Sequence, residues 1–125
     1  MAPVVLLVDD YEDNRELYAE YLEHLGYTVL LAANGEEAVD AVETHTPDFV
    51  VMDLSMPVLD GWEATRRIRL EHGAGRPYII ALSGFADRSS RKRALEAGCD
   101  EFIAKPFLPS DLVKRLTELR ASRKR

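Results

Sequence analysis

Short, almost wholly apolar runs recur along this chain at Val4–Val8, Phe49–Asp53 and Tyr78–Leu82, each ending in or followed by an acid or a serine. Segments this short suit strands rather than helices. Being apolar throughout instead of alternating, they suit strands covered on both faces. Amphipathic segments separate them. Asn14–Leu25 carries Leu17, Tyr18, Tyr21, Leu22 and Leu25 at helical spacing, with Asp13 and Glu16 readable as a capping box and Gly26 as the residue that closes the helix. Thr28–Ala32 reads as a second strand. Asn34 then caps a helix through about Thr44, with Glu37 at the box position and Ala38, Val39, Ala41 and Val42 inward. A weaker helix holds Trp62, Thr65 and Ile68, and Ser89–Ala97 forms a short basic helix stopped by Gly98. Glu101–Ala104 is the last strand, and Pro109 opens a helix with Leu112, Val113, Leu116 and Leu119 inward. Strand–helix alternation implies parallel strands joined by right-handed crossovers. The fold expected is α/β, a doubly wound five-stranded parallel sheet in a three-layer sandwich.

Composition narrows the function class. At 125 residues, with 46% hydrophobic and 30% charged residues, the chain can bury a core without disulfide or metal staples. Cys99 is the single cysteine, which excludes an intrachain disulfide. No apolar run approaches the ~20 residues of a membrane span, and Met1-Ala2-Pro3 lacks the basic start of a signal peptide. A net charge of −6 argues against a nucleic-acid binder acting through bulk charge. The expectation is a cytoplasmic, acidic, single-domain protein bound to neither membrane nor nucleic acid. Only Arg120–Arg125 reads as untethered, a solvated helix end whose cations suit the dipole.

Polar residues fall where the strands end. Asp9 and Asp10 follow the first run, Asp53 ends the third strand, Ser83 follows the fourth and Lys105 the fifth. In a parallel sheet these ends share one edge, and ligands bind there where the strand order reverses; for order 2-1-3-4-5 that is between the first and third strands. Clustered carboxylates are costly, since two unit charges ~4 Å apart repel by ~4 kcal/mol at an effective dielectric near 20. A cation relieves the strain, and carboxylate oxygens suit Mg²⁺, which favours partnership with phosphate. An ionised Asp53 facing a metal, a lysine and a hydroxyl is equipped to handle a phosphoryl group.

Val8-Asp9-Asp10, Met52-Asp53-Leu54-Ser55-Met56-Pro57-Val58-Leu59-Asp60-Gly61, Ala81-Leu82-Ser83-Gly84 and Ala104-Lys105-Pro106-Phe107 together resemble the receiver domain of two-component response regulators, over nearly the whole chain. The resemblance implies a flavodoxin-like (CheY-like) fold over residues 1–121, followed by a basic tail at 122–125. It implies that Asp53 accepts a phosphoryl group from a phosphohistidine on a sensor histidine kinase or phosphotransfer protein. Asp9, Asp10, Asp53 and the backbone carbonyl of Ser55 would hold Mg²⁺, for which Mn²⁺ is a chemical substitute. Lys105 would pair with phosphoryl oxygens, aimed by a cis bond to Pro106. Ser83 would turn toward the phosphoryl group and Phe102 occupy the aromatic switch position, altering the face made by the fourth helix, fifth strand and fifth helix, where a downstream protein docks. Ser83 stands where many relatives have Thr and Phe102 where many have Tyr; Phe packs but donates no hydrogen bond, which implies a less sharply two-state switch. Ser55 and Phe85 would tune phosphoryl lifetime, Phe85 by excluding water. The chain would catalyse only its own phosphorylation and dephosphorylation, as a monomer or weak dimer.

Other residues read as structural. His24, His45 and His72 share no metal-ligand spacing, and Cys99 lacks a nearby base. Tyr11, Tyr18, Tyr21, Tyr27 and Trp62 read as packing aromatics, and Arg88, Arg91, Lys92 and Arg93 as a solvated helix face. Different functions remain to be weighed. A small Mg²⁺-dependent phosphohydrolase would want a cap domain and Asp-x-Asp where this chain has Asp9-Asp10-Tyr11. A mononucleotide carrier would want a Ser/Thr/Gly-rich loop where it has Tyr11-Glu12-Asp13. A docking module that is never phosphorylated is the third alternative.

Overall fold

The computed structural model describes residues 3–54, 60–73, 77–84, 88–105 and 107–123. Strands β1 (Val4–Val8), β2 (Thr28–Ala32), β3 (Phe49–Asp53), β4 (Tyr78–Ser83) and β5 (Glu101–Ala104) alternate with helices α1 (Glu12–His24), α2 (Gly35–His45), α3 (Gly61–His72), α4 (Arg88–Ala97) and α5 (Pro109–Arg123). All pairings are parallel and the sheet order is β2-β1-β3-β4-β5, as expected. Ser55, Phe85 and Pro106 lie outside the described residues.

Strand periodicity splits the core in two. Leu6, Val8, Val50, Met52, Ile79, Ala81 and Phe102 face Ala38, Val39, Val42, Ala64, Ile68 and Ala94 of α2, α3 and α4. Val5, Leu7, Phe49, Val51, Ile80 and Leu82 face Ala19, Leu22, Leu112, Leu116 and Leu119 of α1 and α5. Each fully buried aliphatic side chain contributes about 1.5–3 kcal/mol. Coverage on both faces holds for β1, β3 and β4, whereas on the edge strand β2 Leu31 stays 49% exposed.

Local signals were mostly obeyed. Asn34 accepts the Glu37 amide at 2.8 Å, and the Glu37 carboxylate reaches back to the Ala33 amide at 2.8 Å. Past Leu25, the Gly26 amide (φ +94°) donates to the Glu23 carbonyl and the Tyr27 amide to that of Leu22, a Schellman closure sealed by buried Leu22 and Tyr27.

Helix α1 departs from the reading twice. Its cap position is Tyr11, with no side-chain cap, so Asp13 lies inside the first turn instead of capping it. The reason is Asp9, whose Oδ1 accepts the Tyr11 amide at 2.9 Å and turns the chain into helix early. Its inward stripe is also narrower. Ala19 and Leu22 are buried, while Leu17, Tyr21 and Leu25 are exposed, as is Tyr11, so neither Tyr11 nor Tyr21 is a core aromatic. Ala19 lets the helix sit close to the sheet, which leaves the flanking large side chains outside.

Candidate functional site

The site is built from the C-terminal edge of the sheet. Val8 is in register with Met52, Asp53 with Leu82 and Ser83 with Ala104, so Asp9, Asp53, Ser83 and Lys105 emerge side by side from four adjacent strands. The ladders continue into the loops: the Asp9 amide donates to Ala32, that of Leu54 to Leu82, and that of Lys105 to Ser83 at 2.8 Å.

One carboxylate oxygen each from Asp9, Asp10 and Asp53 lies within 4.8 Å of the others. Asp9 and Asp53 are buried, and Asp10 is exposed at the mouth. Lys105 Nζ stands 3.3 Å from Asp53 Oδ2 and the Ser83 residue is buried beside this edge. One lysine against three acids leaves the cluster net negative, and oxygen donors at this spacing suit a hard divalent cation such as Mg²⁺.

Residues besides the acids, the lysine and the serine also shape this edge. Asn14 Nδ2 approaches Asp9 Oδ2 at 3.5 Å, and Arg15 Nη1 donates to the Asp9 carbonyl at 2.7 Å. The Tyr18 hydroxyl donates to the Phe107 carbonyl, tying α1 to the chain just beyond Lys105. Burial first, then the charges of Asp9 and Asp111, push the Tyr18 phenol up from its ordinary pKa. A cleft of about 370 Å³ lined by Asp9, Tyr18, Leu82, Lys105 and Phe107 opens beside the acids. Gly61 closes the other side: its amide donates to Leu54 at 3.1 Å, and a Cβ there would stand 2.6 Å from the Asp53 carbonyl oxygen. No periodicity signals these contacts, since the Tyr18–Phe107 pair joins residues far apart in sequence.

Phe102 lies inward, 9% exposed, in the core shared with α3 and α4. Among the described residues nothing lies within 4 Å of where a Gly84 Cβ would sit. The three histidines are exposed, and the acid triad is the one group of potential metal ligands among the described residues. Cys99 is buried at 3.6 Å from the Thr65 hydroxyl, and burial pushes its thiol up, which makes it inert.

Among curated proteins, the chain is 40% identical over 119 residues to the chemotaxis protein CheY of Halobacterium salinarum, covering 95% of this chain and 98% of that one. It is 38% identical over 112 residues to a probable transcriptional regulator of Porphyridium aerugineum, of which it spans only 45%. Among solved structures it superimposes on the receiver domain of a Pseudomonas aeruginosa sensor histidine kinase, which has a magnesium ion coordinated in its active-site cleft, with a TM-score of 0.84, 38% identity and coverage of 94% and 97%. The family model for the response regulator receiver domain matches residues 5–117, and no such likeness favours a phosphohydrolase. With that match over a doubly wound sheet carrying an aspartate cluster at its C-terminal edge, the chain belongs to the response regulator receiver domain family, the phosphoacceptor modules of two-component signalling.

Proposed function

We propose that Asp53 is the phosphoacceptor and that Asp9, Asp10, Lys105 and Ser83 serve it. The observation that carries this reading is the 3.3 Å pairing of Lys105 Nζ with Asp53 Oδ2 inside a cluster of three carboxylates. In the reaction an Asp53 oxygen attacks phosphorus in line, an O–P bond forms, and the N–P bond to a partner's histidine breaks, leaving the electron pair on the imidazole nitrogen. Asp9, Asp10 and Asp53, joined by the Ser55 carbonyl, would hold Mg²⁺ or Mn²⁺, which when bound neutralises charge on the phosphoryl oxygens. Lys105 neutralises the same oxygens from the β5 side, its amide anchored on Ser83.

The new dianion then draws the Ser83 hydroxyl as a hydrogen-bond donor. Ser83 sits in register with Ala104 of β5, and Ala81 with Phe102, so movement at the end of β4 would be passed to the strand that carries Phe102. The resulting change of the α4-β5-α5 face is the signal to a downstream protein. Ser55 and Phe85 tune how fast water reverses it. The chain turns over no free metabolite, only its own phosphorylation and dephosphorylation, in residues 1–121, with 122–125 a basic tail. Its phosphodonor is a histidine kinase or phosphotransfer protein.

The test is incubation with acetyl phosphate and Mg²⁺ followed by intact-mass measurement. The expected result is a gain of one phosphoryl group, abolished in Asp53→Asn. Rapid multiple-turnover release of phosphate from diverse monoesters, or no mass gain at all, would overturn the assignment.

A further inference from the structure

Lys105 reaches Asp53 from the short connection between β5 and α5, and a lysine is a point charge on a flexible four-carbon stem. Such a side chain is only as well placed as the backbone at its root. The Lys105 amide donates to the Ser83 carbonyl at 2.8 Å, which fixes that root on β4. Two residues on, the Phe107 carbonyl accepts the Tyr18 hydroxyl, which fixes the connection on α1. Tyr18 and Phe107 are 89 residues apart in sequence. Both are half-buried and pack against the core under α1 and α5, so the phenol donates from a seat that packing already defines.

The same helix is tied to the acids. At its start the Tyr11 amide donates to Asp9 Oδ1 at 2.9 Å and Arg15 donates to the Asp9 carbonyl at 2.7 Å. Tyr18 follows Tyr11 by about two helical turns. It lines, with Asp9, Leu82, Lys105 and Phe107, the cleft of about 370 Å³ beside the carboxylates. Helix α1 is thus bonded to the loop of the acids at one point and to the loop of the lysine at another. Packing does not account for the hydroxyl, since phenylalanine would fill the same seat; the hydroxyl adds the bond to Phe107. We propose that Tyr18 is a positioning residue for phosphoryl transfer: through the Phe107 carbonyl it holds the β5–α5 connection against α1, and so keeps Lys105 Nζ in place beside Asp53. The inference rests on Asp53 as phosphoacceptor and assigns a further residue to that reaction. Charge stabilisation at the transferring oxygens depends on a donor fixed beforehand, and a misplacement of about 1 Å can cost on the order of a hundredfold in rate. A tether on the lysine's own loop is where such a loss would be prevented.

Tyr18→Phe removes the hydroxyl and keeps the ring. The experiment measures the initial rate of phosphoryl uptake from acetyl phosphate and Mg²⁺, by intact mass, in the parent, Tyr18→Phe, Lys105→Met and the double variant. Tyr18→Phe should slow uptake about tenfold. Its Mg²⁺ dissociation constant, measured by calorimetry, should stay within about twofold of the parent's, showing that the variant folds and that the acids are undisturbed. In the Lys105→Met background, loss of the hydroxyl should change the rate by less than about twofold, because no lysine remains to be placed. A hydroxyl that served only the fold would slow both backgrounds alike, and that result would overturn the proposal. So would parent-like uptake by Tyr18→Phe, or a loss of Mg²⁺ binding large enough to explain the slower rate. A parent that takes up no phosphoryl group at all would overturn the Asp53 assignment itself, and this inference with it.

Discussion

At Gly61 a methyl group would meet the Asp53 carbonyl oxygen at 2.6 Å, the Leu54 Cα at 2.7 Å and the Leu54 side chain at 3.0 Å. Two of those three neighbours are backbone of the segment that carries Asp53, and backbone does not yield as the far end of a flexible side chain would. Gly61→Ala should therefore cost about 2–3 kcal/mol in urea unfolding, or shift Asp53 and slow phosphoryl uptake. A variant as stable and as quickly phosphorylated as the parent would show that β3 and α3 slide apart freely. The glycine at 61 was visible in the sequence as part of a motif; its steric reason was not, because the atoms it avoids belong to the strand end before the loop.

Among the elements, α3 owes its polar ties to β4 and the α4–β5 turn to Arg69. Arg69 donates to the Gly98 carbonyl at 2.8 Å, to that of Pro77 at 2.8 Å and to Asp100 Oδ2 at 2.6 Å, and the same Asp100 oxygen accepts the Ile79 amide at 2.8 Å. Its side chain is only 11% exposed, and Gly98, at φ +115°, has no room for a Cβ against the Arg69 Cγ. Arg69→Met would strand two carbonyls and a carboxylate, at about 3–5 kcal/mol, and should lower the melting midpoint by roughly 10 °C or more. A second tie joins β5 to α5. Hydrogen bonds from Arg115, helped by the Tyr78 hydroxyl and opposed by burial, hold the Glu101 carboxyl below the usual glutamate range, while Glu101 pushes Arg115 up. A depressed folded-state pKa adds stability above the usual glutamate range, and that increment is lost as pH falls through the folded value. Glu101→Gln should accordingly flatten the acid limb of the stability profile; an unchanged limb would place the acid sensitivity elsewhere.

For the molecule as a whole, a cation held by the acid cluster would be coupled to folding. A metal that binds only the folded chain adds about 2.7 kcal/mol at a hundredfold excess over its dissociation constant. Mg²⁺ should raise the melting midpoint, a chelator should reverse the rise, and Asp10→Asn, an exposed change, should blunt it without unfolding the chain. A midpoint indifferent to Mg²⁺ in the parent would mean that the three carboxylates are not a metal site. By itself the sequence determined the parallel doubly wound sheet and the strand ends that bear Asp9, Asp10, Asp53, Ser83 and Lys105. Apolar runs and helical spacing are local, and a parallel sheet then sends every C-terminal strand end to one edge. Only the tertiary structure decided that Asp9 and Asp53 are buried while Asp10 faces out, that Ala19 rather than Leu17 seats α1, and that Arg69 and the Arg93–Trp62 stack bind α3 to its neighbours. Those outcomes depend on side chains brought together from distant parts of the chain, and no periodicity within a single segment encodes such a meeting.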